Sequence, residues 1–304
     1  SRRAREICEK GFGIGFNGKG VYLDLQDSIK KNGLDVIKAK YGNLLEMYER
    51  IVGEDPIKVP MKIYPAPHYT MGGLWVDYNL MSNIGGLFVL GESNYSVHGS
   101  NRLGANALLQ CLCDGYFISP KTITSWLANN EEVDDRKIDE ACKEALNFVE
   151  KKIKSLLKIK GDKPVDHFHR KLGEIMISKC GISRNKNDLE FALEEIDILR
   201  KDFKINLKIP ETNSGLNIEL EKALRLEDFF ELSELMINDA IKREESCGAH
   251  FREEYQTKEG EGERHDSLFS HIAVWKFNSD KNSHTRYSED LTFKKIKLNT
   301  RNYK

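Results

Sequence analysis

The stretch Gly91-Glu92-Ser93-Asn94-Tyr95-Ser96-Val97-His98-Gly99-Ser100-Asn101-Arg102-Leu103-Gly104, running on into Ala105-Asn106-Ala107-Leu108-Leu109-Gln110, decides how the rest of the chain is read. It sets one acid, one imidazole and one guanidinium in a glycine-rich segment of low charge. Glycine lets backbone approach a ligand closely. From Gly104 to Phe117 the pattern is that of a helix with small residues in its first turn, and a helix N-terminus behind a glycine loop attracts anions. Arg102, just ahead of it, offers a fork of donors matched to a carboxylate. Upstream, Pro65-Ala66-Pro67-His68-Tyr69-Thr70-Met71-Gly72-Gly73 adds a second imidazole. On the residues alone this is a pocket for a planar anion or a carboxylate, although a purely structural glycine-rich core would read the same way.

Working outward, residues 1–10 have the pattern of a helix end, followed by a run of glycines from Gly11 to Gly20 and a strand pattern over Val21-Tyr22-Leu23-Asp24-Leu25. Gly13-x-Gly15-x-x-Gly18 matches a dinucleotide fingerprint in letters only. That motif needs a strand before it and a helix after it, so that the pyrophosphate meets a helix N-terminus. Here the order is reversed, and the run reads as a flexible turn. Val36, Ile37, Tyr41, Leu44, Leu45, Tyr48 and Ile51 recur at helical spacing, and Pro56 and Pro60 then break the chain. Residues 61–130 are glycine-rich and aromatic, with short strand patterns such as Leu87–Leu90. From about Glu132 the composition becomes charged and helical, with apolar stripes (Ile138 to Leu156, Leu189 to Phe203, Leu220 to Ala240) that predict a bundle of about four helices. After Gly248 the chain turns irregular, with a strand pattern at Ile272–Trp275 and a basic tail.

The bulk numbers exclude several classes. At 304 residues the chain has room for one large domain or a few smaller ones. Hydrophobic residues are 39% and charged ones 31%, the balance of a globular protein rather than a disordered one. A net charge of −1 gives no pull toward nucleic acid or an anionic membrane. No apolar run approaches the roughly 18–20 residues of a membrane span. Ser1-Arg2-Arg3-Ala4 enters a helical pattern directly, with no signal-peptide pattern, and reads as the start of a fragment. Of the cysteines only Cys111-x-Cys113 is close-set, the wrong spacing for a zinc knuckle or a redox pair, so a reducing compartment is expected.

Three blocks in order carry a resemblance: His68-Tyr-Thr-Met-Gly-Gly73; Gly91-Glu-Ser with His98-Gly and Asn101-Arg-Leu-Gly104; and Arg243-Glu-Glu-Ser246-Cys-Gly-Ala-His250-Phe-Arg252-Glu-Glu254. The chain resembles the succinate dehydrogenase and fumarate reductase flavoprotein subunits, in their C-terminal portion. Trp75 to Ser82 and the ending Lys295 to Lys304 resemble the branch anchored by a single cytochrome b subunit. The implied fold is multidomain α+β: part of an FAD-binding α/β domain and a capping domain, then a C-terminal helical bundle with an irregular tail. Residues 1–58 would end the mobile capping domain, which closes over substrate. Residues 59–130 would be the returning part of the FAD-binding domain, 131–246 the helical domain, and 247–304 a tail packing on the others. The resemblance assigns His68 to one carboxylate of the C4 diacid and Arg102 to the other. Glu92 would hydrogen-bond the ribityl region of FAD, with His98 near the flavin. The backbone at Ala107 and Leu108 would reach the isoalloxazine, where a helix N-terminus stabilises negative charge. The implied reaction is hydride transfer between succinate or fumarate and FAD, in a direction these residues do not set. The implied partners are an iron–sulfur subunit and a membrane cytochrome b subunit, at the cytoplasmic face of the inner membrane.

No catalytic residue is expected within the chain: the family's proton-donating arginine aligns just upstream of Ser1, and Arg2 and Arg3 do not take its place. The N-terminal FAD fingerprint and the histidine that often attaches the flavin are also absent, so the isolated chain is expected to hold FAD weakly. Other histidines have plainer roles. His167-x-His169 has no thiol or carboxylate pattern to complete a metal site and reads as helix surface. His250 and Arg252 are expected to tie the helical and flavin domains together. Two other readings stay open. L-Aspartate oxidase shares the His and Arg blocks but lacks the tail after 250, and a helical module could dock to partner subunits without chemistry.

Overall fold

The structure, a computed structural model, describes residues 2–95, 98–131, 133–210 and 215–299. The chain divides into two compact units, 1–70 and 71–304. The ending Thr300 to Lys304, together with Ser96, Val97 and Glu132 in the patterns above, lies outside the described residues.

In the first unit, α1 (Arg2–Ile7) runs into a wide turn at Cys8–Phe12 and then into the glycine run, which closes on itself through an antiparallel bridge between Ile14 and Gly20. Strand β1 (Val21–Leu23) follows and pairs antiparallel with β2 (Met61–Ile63), Val21 opposite Ile63. Helix before glycines and strand after is the reverse of a dinucleotide fold, as expected. Between the strands lie α2 (Gln26–Asn32) and α3 (Leu34–Val52). The apolar stripe of α3 is only partly used: Ile37 and Leu45 are buried, while Val36, Leu44 and Ile51 are exposed. Tyr48 of α3 accepts the Lys62 amide at 2.9 Å, fixing the helix to the β2 edge.

The second unit opens with irregular chain. Leu87–Leu90, read from the sequence as a strand, follows a tight turn at 83–86 and runs back antiparallel along Leu80–Ser82, with a single bridge between Met81 and Phe88. Val89 donates to Leu80 and Ser82 to Leu87, and Val76, Leu80 and Val89 form a small core. The apolar letters are used for local packing, not for a ladder. Then come α4 (Asn106–Cys113), a wide turn at Asp114–Ile118, and α5 (Ser119–Asn129).

The large core lies in α6 (Asp135–Leu157), α7 (Val165–Lys179), α8 (Lys186–Asn206) and α9 (Ile218–Lys242). Their starts follow capping chemistry. Asp134, Asn185 and Asn217 each accept a backbone N–H from the first turn of α6, α8 and α9. On α8 the buried set Leu189, Ala192, Ile196, Leu199, Phe203 follows the 3.6-residue period. Phe168 of α7 meets Phe203 edge-to-face at 5.3 Å, and Phe203 meets Phe230 of α9 at 5.7 Å. A parallel two-residue ladder joins β3 (Lys163–Pro164) to β4 (Leu207–Lys208) and ties the entry of α7 to the exit of α8. Helix α6 is anchored at its C-terminal end, where Leu156 is buried and Lys152 reaches Glu227, while Ile138, Phe148 and Val149 are exposed.

After α9 come the short α10 (Asp266–Phe269) and a hairpin of β5 (His271–Asn278) and β6 (Ser283–Asp290). The hairpin docks through polar pairs: Arg286 to Asp239 at 2.8 Å, His284 to Glu231 at 2.8 Å, and Trp75 Nε1 to Glu289 at 2.9 Å.

Candidate functional site

Glu92 sits in a short 3₁₀ turn, Gly91–Ser93, that packs against α4. The turn is fixed from below by a buried polar group that the sequence reading missed. Asp114 is buried and accepts the Gly91 amide at 2.9 Å. Gln110, one turn earlier on α4, donates to the Gly91 carbonyl (3.3 Å) and to Asn94 Oδ1 (3.2 Å), and buried Asn94 donates to the Val89 carbonyl (3.1 Å). Gly91 is required here. Its φ is +61°, and a Cβ would stand 2.3 Å from Cys111 Sγ. Above the turn, Leu74 donates to Ser93 and Tyr95 to Leu74, both at 2.9 Å. A clue was present in the sequence, since Gln110 and Asp114 stand four apart in an otherwise apolar helix and so share a face. Burial, with Glu289 nearby, raises the Tyr95 phenol above its ordinary range.

Arg102 and His98 are half-buried on the loop that leads to α4, and Arg102 donates to the Leu103 carbonyl at 3.2 Å. The helix opens on Ala105, whose φ of +65° is rare for a residue with a Cβ. Strain of this kind collects at ligand clamps. Ala107 and Leu108 lie in the first turn, where helix amides have no intrahelical acceptor. Leu103, Leu108 and Leu109 present exposed apolar surface beside those amides. His68 belongs to the other unit: it is exposed and meets Tyr69 edge-on at 5.6 Å. Within the second unit the structure therefore links Glu92 to α4 and places Arg102 at the helix entrance.

The third sequence block forms a buried knot at the end of α9. Arg252, buried, donates to the last-turn carbonyls of Ala240 (2.8 Å) and Ile241 (3.2 Å) and pairs with Glu254. Its charge thus meets the negative end of the helix dipole. Buried Glu245 binds Arg243 at 2.8 Å and the His265 amide at 3.0 Å. His250 is held by the Arg184 guanidinium on Nδ1 and the Arg243 carbonyl on Nε2, both at 2.9 Å. Arginine can only donate, so Nδ1 accepts and Nε2 carries the proton. Burial pushes the imidazole down to about 4; the hydrogen bond to Arg243 opposes this, and the surrounding arginines reinforce it. His167 and His169 pack edge-on and tilted against Phe168 and Phe229, and among the described residues no His, Cys, Asp and Glu cluster could hold a metal ion.

Residues 1–108 match the FAD binding domain family and residues 169–303 match the fumarate reductase flavoprotein C-terminal family. The chain belongs to the succinate dehydrogenase and fumarate reductase flavoprotein family. It is 34% identical over 266 residues to the succinate dehydrogenase flavoprotein subunit of Bacillus subtilis, covering 86% of this chain and 44% of that one. To the fumarate reductase flavoprotein subunit of Escherichia coli it is 31% identical over 275 residues, covering 90% and 43%. A solved Escherichia coli quinol fumarate reductase superposes with a TM-score of 0.77 at 27% identity, over 97% of this chain and 48% of that one. The chain thus spans less than half the length of these flavoprotein relatives.

The residues present fit one end of FAD. An acid on a buried support suits ribityl hydroxyls, first-turn amides suit the electron-rich edge of a flavin ring, and exposed leucines suit its face. Gly99 and Gly104 border this region, and a Cβ on either would meet no atom within 4 Å. For the ADP end, no strand–glycine–helix unit occurs among the described residues.

Proposed function

We propose that this chain is the part of a flavoprotein subunit that holds the flavin end of FAD and the C4 dicarboxylate, in an enzyme interconverting succinate and fumarate. The observation that carries the reading is the coupling of three features in one unit: the Glu92 turn fixed by Asp114 and Gln110, the Arg102 loop, and the amides at the start of α4. FAD, when bound, supplies the two-electron chemistry. This chain's residues do the rest. Arg102 grips one carboxylate as a bidentate fork and His68 binds the other, so the diacid is oriented at both ends. Glu92 holds the ribityl hydroxyls, the Ala107 and Leu108 amides stabilise charge on the ring, and His98 lines the flavin. No residue of 1–304 is assigned the proton transfer.

In this reading residues 1–58 belong to the capping domain, 59–130 to the FAD-binding domain, 131–246 to the helical domain and 247–304 to the tail. Electrons pass to an iron–sulfur subunit and on to quinone through a membrane cytochrome b subunit. The flavoprotein sits peripherally, at the cytoplasmic face of the inner membrane. No helix among the described residues is long and apolar enough to cross a membrane. The test is steady-state succinate oxidation by the holoenzyme with an artificial electron acceptor. Arg102→Ala and His68→Ala should each lower kcat/KM by about 100-fold or more, the scale of a lost charged hydrogen bond. Wild-type kinetics in both variants would remove the assignment.

A further inference from the structure

Loop 98–104 carries His98 and Arg102, yet it has glycine at 99 and 104 and exposes Gly99 and Ser100 to solvent. Such a loop needs an outside anchor to hold a guanidinium in one place. The structure supplies one from far along the chain. Ala249 donates its amide to the Ser100 carbonyl at 2.8 Å, and Cys247 Sγ lies 3.1 Å from Ser100 Oγ. Between them Gly248, at φ +59°, approaches so closely that a Cβ would stand 2.5 Å from Ser100 O and 2.6 Å from its Oγ. A 2.5 Å approach to a backbone oxygen cannot be relieved by a side-chain rotation, so only glycine allows this contact.

The anchoring turn is itself rigid. Cys247 and His250 exchange backbone hydrogen bonds at 2.8 and 3.0 Å, and Ser246 donates to Glu263 at 2.7 Å. His250 is pinned by Arg184 and Arg243, and the Ser246 hydroxyl exchanges bonds with the backbone of Arg252. The buried knot at the end of α9 therefore ends in a short arm that touches the loop two residues from Arg102.

We propose that the Cys247-Gly248-Ala249 turn is a positioning element for substrate binding, which fixes Ser100 and thereby sets the placement of Arg102. The proposal rests on the reading that Arg102 binds a substrate carboxylate. Cys247, Gly248 and Ser100 touch neither substrate nor flavin in this account and act only through the loop. A shift of about 1 Å in a binding group costs up to about 100-fold.

The test uses the FAD-loaded holoenzyme, with flavin content, thermal midpoint, succinate kinetics and malonate binding by flavin absorbance measured for each variant. Gly248→Ala should weaken malonate binding and raise the succinate KM by about tenfold or more, at unchanged flavin content. Cys247→Ala should show a smaller loss of the same kind, and Cys247→Ser, which keeps a hydrogen-bonding atom near Ser100 Oγ, should restore part of it. Should Gly248→Ala not fold, the Cys247 pair decides. Wild-type malonate affinity in Gly248→Ala, or in both Cys247 variants, overturns the proposal while Arg102→Ala still binds weakly. Wild-type affinity in Arg102→Ala overturns the underlying reading instead.

Discussion

Acidification should loosen the knot that carries the Ser100 anchor, and the effect should trace to one residue. His250 accepts from Arg184 at Nδ1, so a second ring proton would face a guanidinium N–H across 2.9 Å. Arg243 and Arg252 add to the positive surroundings, and burial removes the water that would screen them. The imidazole is therefore held at about 4 in the folded protein, against an ordinary value of 6.5. Between those values the unfolded segment binds a proton that the folded one does not, so the contribution of neutral His250 is complete above about pH 6.5 and is lost as pH falls toward 4. At about 1.36 kcal/mol per unit the gap amounts to about 3 kcal/mol, or about a hundredfold in local opening. Hydrogen exchange of the peptide spanning 246–252, corrected for intrinsic rates, should show protection falling by that order between pH 7 and pH 4. In His250→Gln, which keeps an acceptor and a donor, the fall should be largely absent. An equal decline in the variant and the wild type would refute the reasoning.

Arg252→Met fills the buried volume but strips the Ala240 and Ile241 carbonyls of their donor, and should destabilise the second unit by about 3 kcal/mol in thermal or urea unfolding. An unchanged midpoint would mean that the knot contributes little. Asp114→Ala leaves the Gly91 amide buried without its acceptor, at a cost of about 1–3 kcal/mol, and should also lower the flavin content of the holoenzyme because the Glu92 turn loses its support. Full flavin content there would separate Glu92 from cofactor binding.

The helical core was legible because its signals are local. The buried positions of α8 and α9 repeat every three or four residues. The reversed order of helix, glycines and strand around Gly13 was equally local and excluded a dinucleotide fingerprint at Gly13–Gly18. What the sequence hid depends on distant contacts. Leu87–Leu90 has strand letters, but it pairs only with the short stretch Leu80–Ser82 across the turn at 83–86 and builds a single bridge rather than a full strand. Strand β6, Ser283–Asp290, lacks apolar alternation because its side chains dock by charge to Asp239 and Glu231 of α9. The site split the same way. Glu92, His98, Arg102 and the helix start are consecutive and could be read together, whereas Cys247, 147 residues from Ser100, could not be placed against it from pattern alone.

The most direct measurement of the central claim is titration of the FAD-loaded holoenzyme with malonate, read by the flavin absorbance. A saturable shift is expected in the wild type and a dissociation constant raised by about 100-fold in Arg102→Ala, roughly the 2–3 kcal/mol of a lost charged hydrogen bond. A dissociation constant unchanged by that substitution would contradict it.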